Sequence, residues 1–383
     1  MDAGCGAGII GICAAAALGD VSSIRCQDRD ELARLVTLHN AAKNKIPPPA
    51  LAAFAEPLLA GPEGAGWDLI LSNIPAKAGG PVLEDFVRRS AGLLNPGGRA
   101  MIVAVSPLAD FFRRQIADAG AELVLEERGP GHSVFVYSRN APQEKFSQAV
   151  AVNAGTGFLE KYPFYSRASV DCEIEGIPLH IKAVYGAPGF DRPGGAVSVA
   201  AKLARRLTAE LLRDGASGKN GGPLLVHEPG QGFFPCYLLE FLRGGVPQQR
   251  LVLSGRNILA LEAARHNIES RHNAGTAALP LVVPAADLNL GRENLLRAAA
   301  GRQYTCIAAF PEMLPQSALP KAGKGQLSAL WDALPPLLAE GGIFIVALTS
   351  SEAERFDRVK PAGFTRLGSI RRDGFRALAY KFR

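Results

Sequence analysis

Two long stretches of this chain repeat one another. "DAGCGAGIIGICAAAALG", at the amino terminus, is followed by "SIRCQDRDELARLVTLHNAAKN". In the second half "HEPGQGFFPCYLLEFLRG" is followed by "RLVLSGRNILALEAARHNIESR". The alignment pairs Gly4 and Gly6 with Gly230 and Gly232, Arg29 with Arg256, and Asn40 with Asn267. Downstream, "WDLILSN" parallels "YTCIAAF" and "LLNPGGRAMIVAV" parallels "LLAEGGIFIVALT". Each half closes on two strand-like runs around a glycine turn. This is a duplicated domain rather than a short solenoid repeat, so whatever one half folds into, the other must too.

Within each copy, apolar β-rich runs alternate with segments of helical period. "LARLVTLHNAAKN" places Leu32, Leu35, Val36 and His39 on one helical face, and "LEDFVRRSAGLL" does the same with Leu83, Phe86, Val87 and Leu94. "RAMIVAV" and "IFIVAL" read as buried strands launched from Gly-Gly turns. Alternating strands and helices predict an α/β fold: two doubly wound, mostly parallel sheets, each ending in an antiparallel hairpin. The expected division is residues 1–150 for the first domain, 151–220 for a linker and lead-in, and 221–383 for the second. In the lead-in, "IPLHIKAVYG" alternates like a strand and "VAAKLARRLTAELL" reads as a helix with Leu203, Leu207 and Leu211 in register.

At 383 residues the chain has room for two such domains; 48% of it is hydrophobic and 20% charged, the balance of a globular protein. The net charge of +6 suits a polyanionic partner such as RNA without requiring one. The six cysteines form no C-x-x-C pair and read as reduced, buried thiols of a cytoplasmic protein. The scattered histidines spell no metal motif, so no metal is expected. The apolar run from Gly8 to Gly19 is too short to span a bilayer, and it lacks the basic leader of a secretory signal.

A strand, a glycine loop and a helix in succession make a seat for a nucleotide-like ligand, because only glycine lets backbone approach closely and the helix start favours anions. Gly6, Gly8 and Gly11 spell G-x-G-x-x-G, with Asp28 about 20 residues on where a ribose-binding acid belongs. Spacing alone leaves a dinucleotide open. Two further features tip the choice. Asp2, Gly4, Gly6 and Gly8 follow D-x-G-x-G-x-G, and "DLILSNIPAKAG" ends a later strand. Together these resemble the class I S-adenosylmethionine-dependent methyltransferases, and in particular the tandem-domain guanine-N2 methyltransferases of ribosomal RNA. "VYGAPGFDRPGGA" is similar to the segment leading into their second copy, so the resemblance covers nearly the whole chain.

The resemblance implies S-adenosyl-L-methionine as cofactor and an RNA, ribosomal in that family, as partner. It implies that Gly4, Gly6 and Gly8 pack under the methionine end, with Asp2 near its ammonium. Asp28 would take both ribose hydroxyls, with Asp30 the fallback, and Glu56 would face the adenine amine. The family's [N/D/S]-P-P-[F/Y/W] signature reads Asn73-Ile74-Pro75-Ala76 here. Asn73 and Pro75 keep the amine acceptor and the stiff turn. Ala76 lacks the aromatic that stacks on the base, a role open to Phe164, Tyr165 or Phe190. Lys77 is a candidate for a phosphate contact.

In the second copy, Glu228 stands for Asp2, Phe234 for Gly8, Gly255 for Asp28 and Phe310 for Asn73, which predicts a degenerate domain that packs and presents RNA. The family as a rule keeps its second copy active, so the roles are inverted here. Only Met1, Asp2 and Ala3 precede Gly4, so the first sheet is expected to lack most of its initial strand, and the natural product to begin further upstream. Two other functions fit less of the sequence: an inactive RNA-binding or assembly protein made of two decayed domains, and a nicotinamide oxidoreductase, for which no hydride-site constellation is evident.

Overall fold

The computed structural model describes residues 1–18, 23–48, 50–61, 66–139, 157–189, 191–211, 222–242, 251–271, 280–313 and 325–383. The chain divides into two compact units, Met1–Ser166 and Arg167–Arg383. Residue 150, near which the sequence puts its boundary, lies outside the described residues.

In the first unit, strands β1 (Asp2–Ala3), β2 (Ile24–Asp28), β3 (Leu51–Ala55), β4 (Trp67–Asn73) and β5 (Leu94–Val105) run parallel. The hairpin of β6 (Ala121–Arg128) and β7 (His132–Arg139) closes the sheet antiparallel, in the order β3-β2-β1-β4-β5-β7-β6. Helices α1 (Ile9–Ala17), α2 (Glu31–Lys43), α3 (Gly80–Leu93) and α4 (Ala109–Asp118) connect the strands, and a short α5 (Phe158–Lys161) follows the hairpin. Pro81 sits in the first turn of α3, where a missing N–H costs nothing. Beyond it Leu83, Phe86 and Val87 are buried as their spacing predicts. The same helix buries Asp85 and Arg89, whose Nε–Oδ2 distance is 3.5 Å. Arg89 also donates to the Leu59 carbonyl (3.0 Å) and lies over the Tyr162 ring, so this pair ties the segment after β3 and the aromatic run after α5 to one helix.

The expected face of α2 is corrected. Its buried residues are Glu31, Thr37 and Ala41, while Leu32, Leu35 and Val36 are half-buried and His39 is exposed. The helix lies beside the glycine loop, whose carbonyls need donors, so part of its inner face is polar. The side chain of Asp30 caps the helix by accepting from Leu32 N at 2.8 Å.

The second unit opens on a hairpin, β8 (Ser166–Ile174) and β9 (Ile177–Val184), and on helices α6 (Gly195–Arg206) and α7 (Thr208–Leu211). The expected single helix is broken at Leu207, yet Leu203, Leu207 and Leu211 are all buried. There follow β10 (Leu224–His227), α8 (Phe233–Phe241), β11 (Leu251–Gly255), α9 (Ile258–Glu269), β12 (Leu281–Pro284), α10 (Arg292–Ala298) and β13 (Tyr304–Ala309). Helix α11 (Gln326–Leu337), β14 (Leu338–Thr349), α12 (Ser350–Arg358), β15 (Phe364–Arg372) and β16 (Phe375–Phe382) complete it. The strand order, β12-β11-β10-β13-β14-β16-β15, repeats that of the first unit. Its core is aromatic: Trp331 stacks on Phe356 at 4.2 Å and packs edge-on against Tyr380.

The ladders correct the register of the duplication. Ala3 pairs with Gln27 and His227 with Ser254, the residues just before the ends of β2 and β11. Asn40 donates to the Ala7 carbonyl, as Asn267 does to that of Gln231. Hence Gly6 corresponds to Gly230 and Gly8 to Gly232, two residues from the alignment by eye, which follows the glycines and not the strand. Phe234 therefore stands at Ile10 and not at Gly8, and Glu228 stands at Gly4 and not at Asp2. The equivalences of Asp28 with Gly255 and of Asn73 with Phe310 are unchanged.

Candidate active site

Strand order reverses between β1 and β4, so the connections leaving these neighbours go to opposite faces and leave a crevice at their carboxyl ends, where ligands of doubly wound folds bind. The loop Gly4–Gly8 emerges there from β1. Asp28 at the tip of β2 flanks it on one side, and Asn73 at the tip of β4 on the other.

The loop glycines do different jobs. All three have left-handed φ: +78° at Gly4, +53° at Gly6 and +80° at Gly8. A Cβ on Gly8 would lie 2.7 Å from Thr37 Cγ2, so the missing side chain lets the loop pack against α2. A Cβ on Gly11 would meet Cys26 Sγ at 2.6 Å, so that glycine lets α1 sit on β2. At Gly6 a Cβ would meet nothing within 4 Å; this is the open point of the cradle. From α2, Thr37 Oγ1 donates to the Gly6 carbonyl (3.1 Å) and Asn40 to that of Ala7 (2.9 Å). Sequence reasoning missed both roles, although Asn40 recurs as Asn267. Gly8→Ala is expected to lower unfolding stability by about 1–2 kcal/mol, from the left-handed φ and the Thr37 contact together, read by urea unfolding through Trp67 emission.

Asp28 is held by backbone: Oδ2 accepts from Gly6 N and Oδ1 from Asp30 N, each at 3.0 Å. Each oxygen keeps a second lone pair, so the carboxylate is positioned without being used up. Asp2 is corrected: it is 1% exposed, points beneath the loop and accepts from Gly11 N at 2.8 Å, and burial raises its pKa. It shapes the start of α1 and offers no oxygen to the crevice. Glu56 is at the right sheet edge, its N–H on the Asp28 carbonyl (2.8 Å), but its carboxylate pairs with Arg25, which itself lies 3.7 Å over the Phe54 ring. That ion pair occupies the acid expected at an adenine amine.

Asn73 and Pro75 are exposed, whereas Ile74 between them is buried with its N–H on the Val103 carbonyl. A 3-10 turn, Ala76–Ala78, then carries Lys77 into solvent. Of the stacking candidates, Tyr165 is buried, Phe164 is half-buried beside Val82 and Phe86 of α3, and Phe190 lies outside the described residues.

The corresponding edge of the second unit is occupied by its own chain. Glu228, at φ +54°, turns its carboxylate to Arg256 N (2.8 Å), and a Cβ on Gly255 would lie 2.9 Å from its Oε2. Gln231 accepts from Val184 N and donates to the Gly189 carbonyl, and Asn257 donates to that of Gly186. The Phe234 and Phe310 rings meet at 4.9 Å.

Residues 1–121 match the family model described as methyltransferase small domain. No curated protein matches the chain. Among solved structures, the T. thermophilus 16S rRNA N2 G1207 methyltransferase (RsmC), in complex with AdoMet and guanosine, is similar over 94% of this chain and 82% of its own, with a TM-score of 0.57 at 15% identity, a likeness of fold. The rRNA methyltransferase aviRa of Streptomyces viridochromogenes is similar over 51% of this chain and 88% of its own, with a TM-score of 0.34 at 17% identity. Among the described residues no group of histidine, cysteine and carboxylate side chains could hold a metal, and no helix is long and apolar enough to cross a membrane.

Proposed function

We infer that this chain, whose residues 1–121 match the methyltransferase small domain model, is an S-adenosylmethionine-dependent methyltransferase that methylates an exocyclic amine of an RNA base, guanine N2 of ribosomal RNA before others, in the cytoplasm. The observation that carries the reading is the placing of Asp28 and Asn73 on either side of one glycine loop at the switch point of the sheet. The cradle suits the cofactor: Gly6 is open where a Cβ would stand, and Asp28 is fixed at the tip of β2 with lone pairs to spare. Gly4, Gly6 and Asp28 would hold it, and when bound it supplies an already activated methyl group.

An exocyclic amine is a weak nucleophile because its lone pair is delocalised into the ring. Asn73, through its side-chain oxygen, and a carbonyl of the Ile74-Pro75 turn accept the amine hydrogens and steer that lone pair out of the ring plane. Pro75 stiffens the turn. This is catalysis by positioning and electrostatics, with no covalent enzyme intermediate. Exposed Lys77 and the net charge of +6 suit a phosphate backbone.

Asn73→Ala is expected to lower kcat at least about tenfold, the cost of one lost hydrogen bond in the transition state, while binding of S-adenosylhomocysteine stays unchanged. The assay follows labelled methyl from S-adenosylmethionine into ribosomal RNA, with nucleoside analysis of the product and of total RNA from a deletion strain. An unchanged kcat removes Asn73 from the reaction. The Arg25–Glu56 pair and the absent aromatic at Ala76 favour a second reading, an inactive RNA-binding or assembly protein. Failure to bind S-adenosylhomocysteine at all would decide for it.

A further inference from the structure

The positive charge of the chain is concentrated at one of its two closing hairpins. Residues 350–383, which hold α12, β15 and β16, carry nine lysines and arginines against four acids, a net +5 of the +6 of the whole chain. The equivalent segment of the first unit, residues 109–139 with α4, β6 and β7, carries four against five. The two hairpins are otherwise alike. β7 pairs with β5 and β16 with β14, and each hairpin has a bulge at the same step, between Leu123 and Leu125 and between Arg366 and Gly368. The fold therefore does not require the basic excess of the second hairpin.

The ladders give the equivalences residue by residue. Tyr137 stands opposite Ala100 and Tyr380 opposite Phe344, so Arg128 corresponds to Arg371, Ser133 to Arg376 and Glu126 to Ser369. In the first unit Glu126 accepts from Arg128 Nε at 2.6 Å and from Arg113 Nε at 2.9 Å, and the residue across the ladder from Arg128 is Ser133. In the second unit Arg376 is directly across from Arg371, so two cations share one face of the hairpin. Their bonds go to hydroxyls: Arg371 Nε donates to Ser350 Oγ at 3.1 Å, and Arg376 Nη2 to Ser369 Oγ at 3.3 Å. Among the described residues neither has an ion pair, whereas Arg366 and Arg372 pair with Asp357 and Asp373. Like charges directly opposite on a ladder destabilise it, and the acid that offsets charge in the first unit is a serine here. The pair sits at the carboxyl edge of the sheet, because Thr349 ends β14 opposite Phe375 and Ser350 N donates to the Gly374 carbonyl at 2.8 Å. Doubly wound folds bind their ligands at that edge.

We propose that Arg371 and Arg376 form a contact surface for the phosphate backbone of RNA, with Ser350 and Ser369 fixing the two guanidinium groups. The surface rests on the reading of RNA as substrate, and gives the second unit a defined part in holding it. Residues directly opposite on a ladder have Cβ atoms about 5 Å apart, so both forks can reach one phosphodiester. Each guanidinium has five N–H donors and spends few of them on serine, which leaves donors for phosphate oxygens. The phosphate then supplies the negative charge that Glu126 supplies in the first unit. An anionic bilayer suits the pair less well, since membrane recognition draws on clusters of about four to eight basic residues.

The test measures binding of a fluorescein-labelled ribosomal RNA hairpin to the full chain by anisotropy, over a range of salt. Each phosphate contact adds about 0.8 to the slope of log K against log salt. The double variant Arg371→Ser, Arg376→Ser removes two, so the slope is expected to fall by about 1.6 and the affinity at about 0.1 M salt by about 30-fold. Ser369→Glu keeps both arginines and gives them the acid of the first unit. It is expected to weaken RNA binding about tenfold and to raise the melting temperature by about 2 °C, opposite signs that damage to the fold would not give. Arg302→Ser removes an exposed charge just before β13, at the other edge of the sheet, and should change RNA affinity by less than about twofold. Binding of S-adenosylhomocysteine stays unchanged in all three. RNA affinity that survives the double variant and Ser369→Glu overturns the surface alone. A parent chain that binds S-adenosylhomocysteine but no RNA overturns the reading of the substrate and the surface with it. Variants that lose affinity for phosphatidylserine vesicles and keep it for RNA make a membrane the partner and overturn it too.

Discussion

Asp28→Ala is expected to weaken S-adenosylhomocysteine binding by about 100-fold, measured by titration calorimetry, with the fold intact by circular dichroism. Two hydrogen bonds from ribose hydroxyls to an ionised carboxylate are worth about 1.5 kcal/mol each, and about 3 kcal/mol is two decades of affinity. The substitution also frees Gly6 N and Asp30 N, so the loop loses one of its ties. Asp28→Asn separates the two effects: it keeps one carbonyl oxygen for the loop but replaces the other acceptor by a donor, and it should recover loop order with little recovery of affinity. Asp30→Ala is the control. Asp30 caps α2, so its loss should cost about 1 kcal/mol of stability and leave affinity nearly unchanged. An Asp30 variant that loses binding while the Asp28 variant keeps it would transfer the ribose role to the fallback acid.

The place of Asp28 at the end of β2 was legible in the sequence because strand length and loop spacing fix where that strand ends. The same logic gave the two sheets and their closing hairpins, since alternation and glycine turns are local signals. What it missed are pairings between distant residues. Thr37 sits on a helix face that periodicity marks as solvent-side, and only the neighbouring loop carbonyl explains its burial. Glu56 looked like a free acid because Arg25 is on another strand. Asp2 looked like a ligand because D-x-G-x-G-x-G does not say which face of the strand its first residue takes; alternation turned it onto α1. The two-residue slip between the copies has the same origin. Three glycines invite alignment to one another, but the ladder puts Glu228 at a left-handed position that glycine fills in the first unit.

The second unit is expected to lose about 3 kcal/mol of stability between pH 6.5 and pH 4, and His227 to account for it. His227 stands where the first unit has Ala3, at the end of the central strand. It is 4% exposed, with Nδ1 3.4 Å from Ser254 Oγ, and burial holds its pKa down at about 4. An unfolded histidine titrates near 6.5, so between the two values the unfolded chain binds a proton that the folded one refuses, and stability rises with pH. The contribution is complete above about pH 6.5, fades as pH falls, and is gone below about 4, where both states are protonated. Glu262 works the other way: burial raises its pKa, so its contribution fades as pH rises. His227→Ala, which restores the residue type of the first unit, therefore isolates the histidine. The comparison is the pH-dependent part of the unfolding free energy, because the cavity left by the ring costs the same at every pH. Urea titrations followed at Trp331, in the core of the second unit, should show the slope between pH 4 and 6.5 in the parent and not in the variant. A slope that survives the substitution would place the titrating group elsewhere.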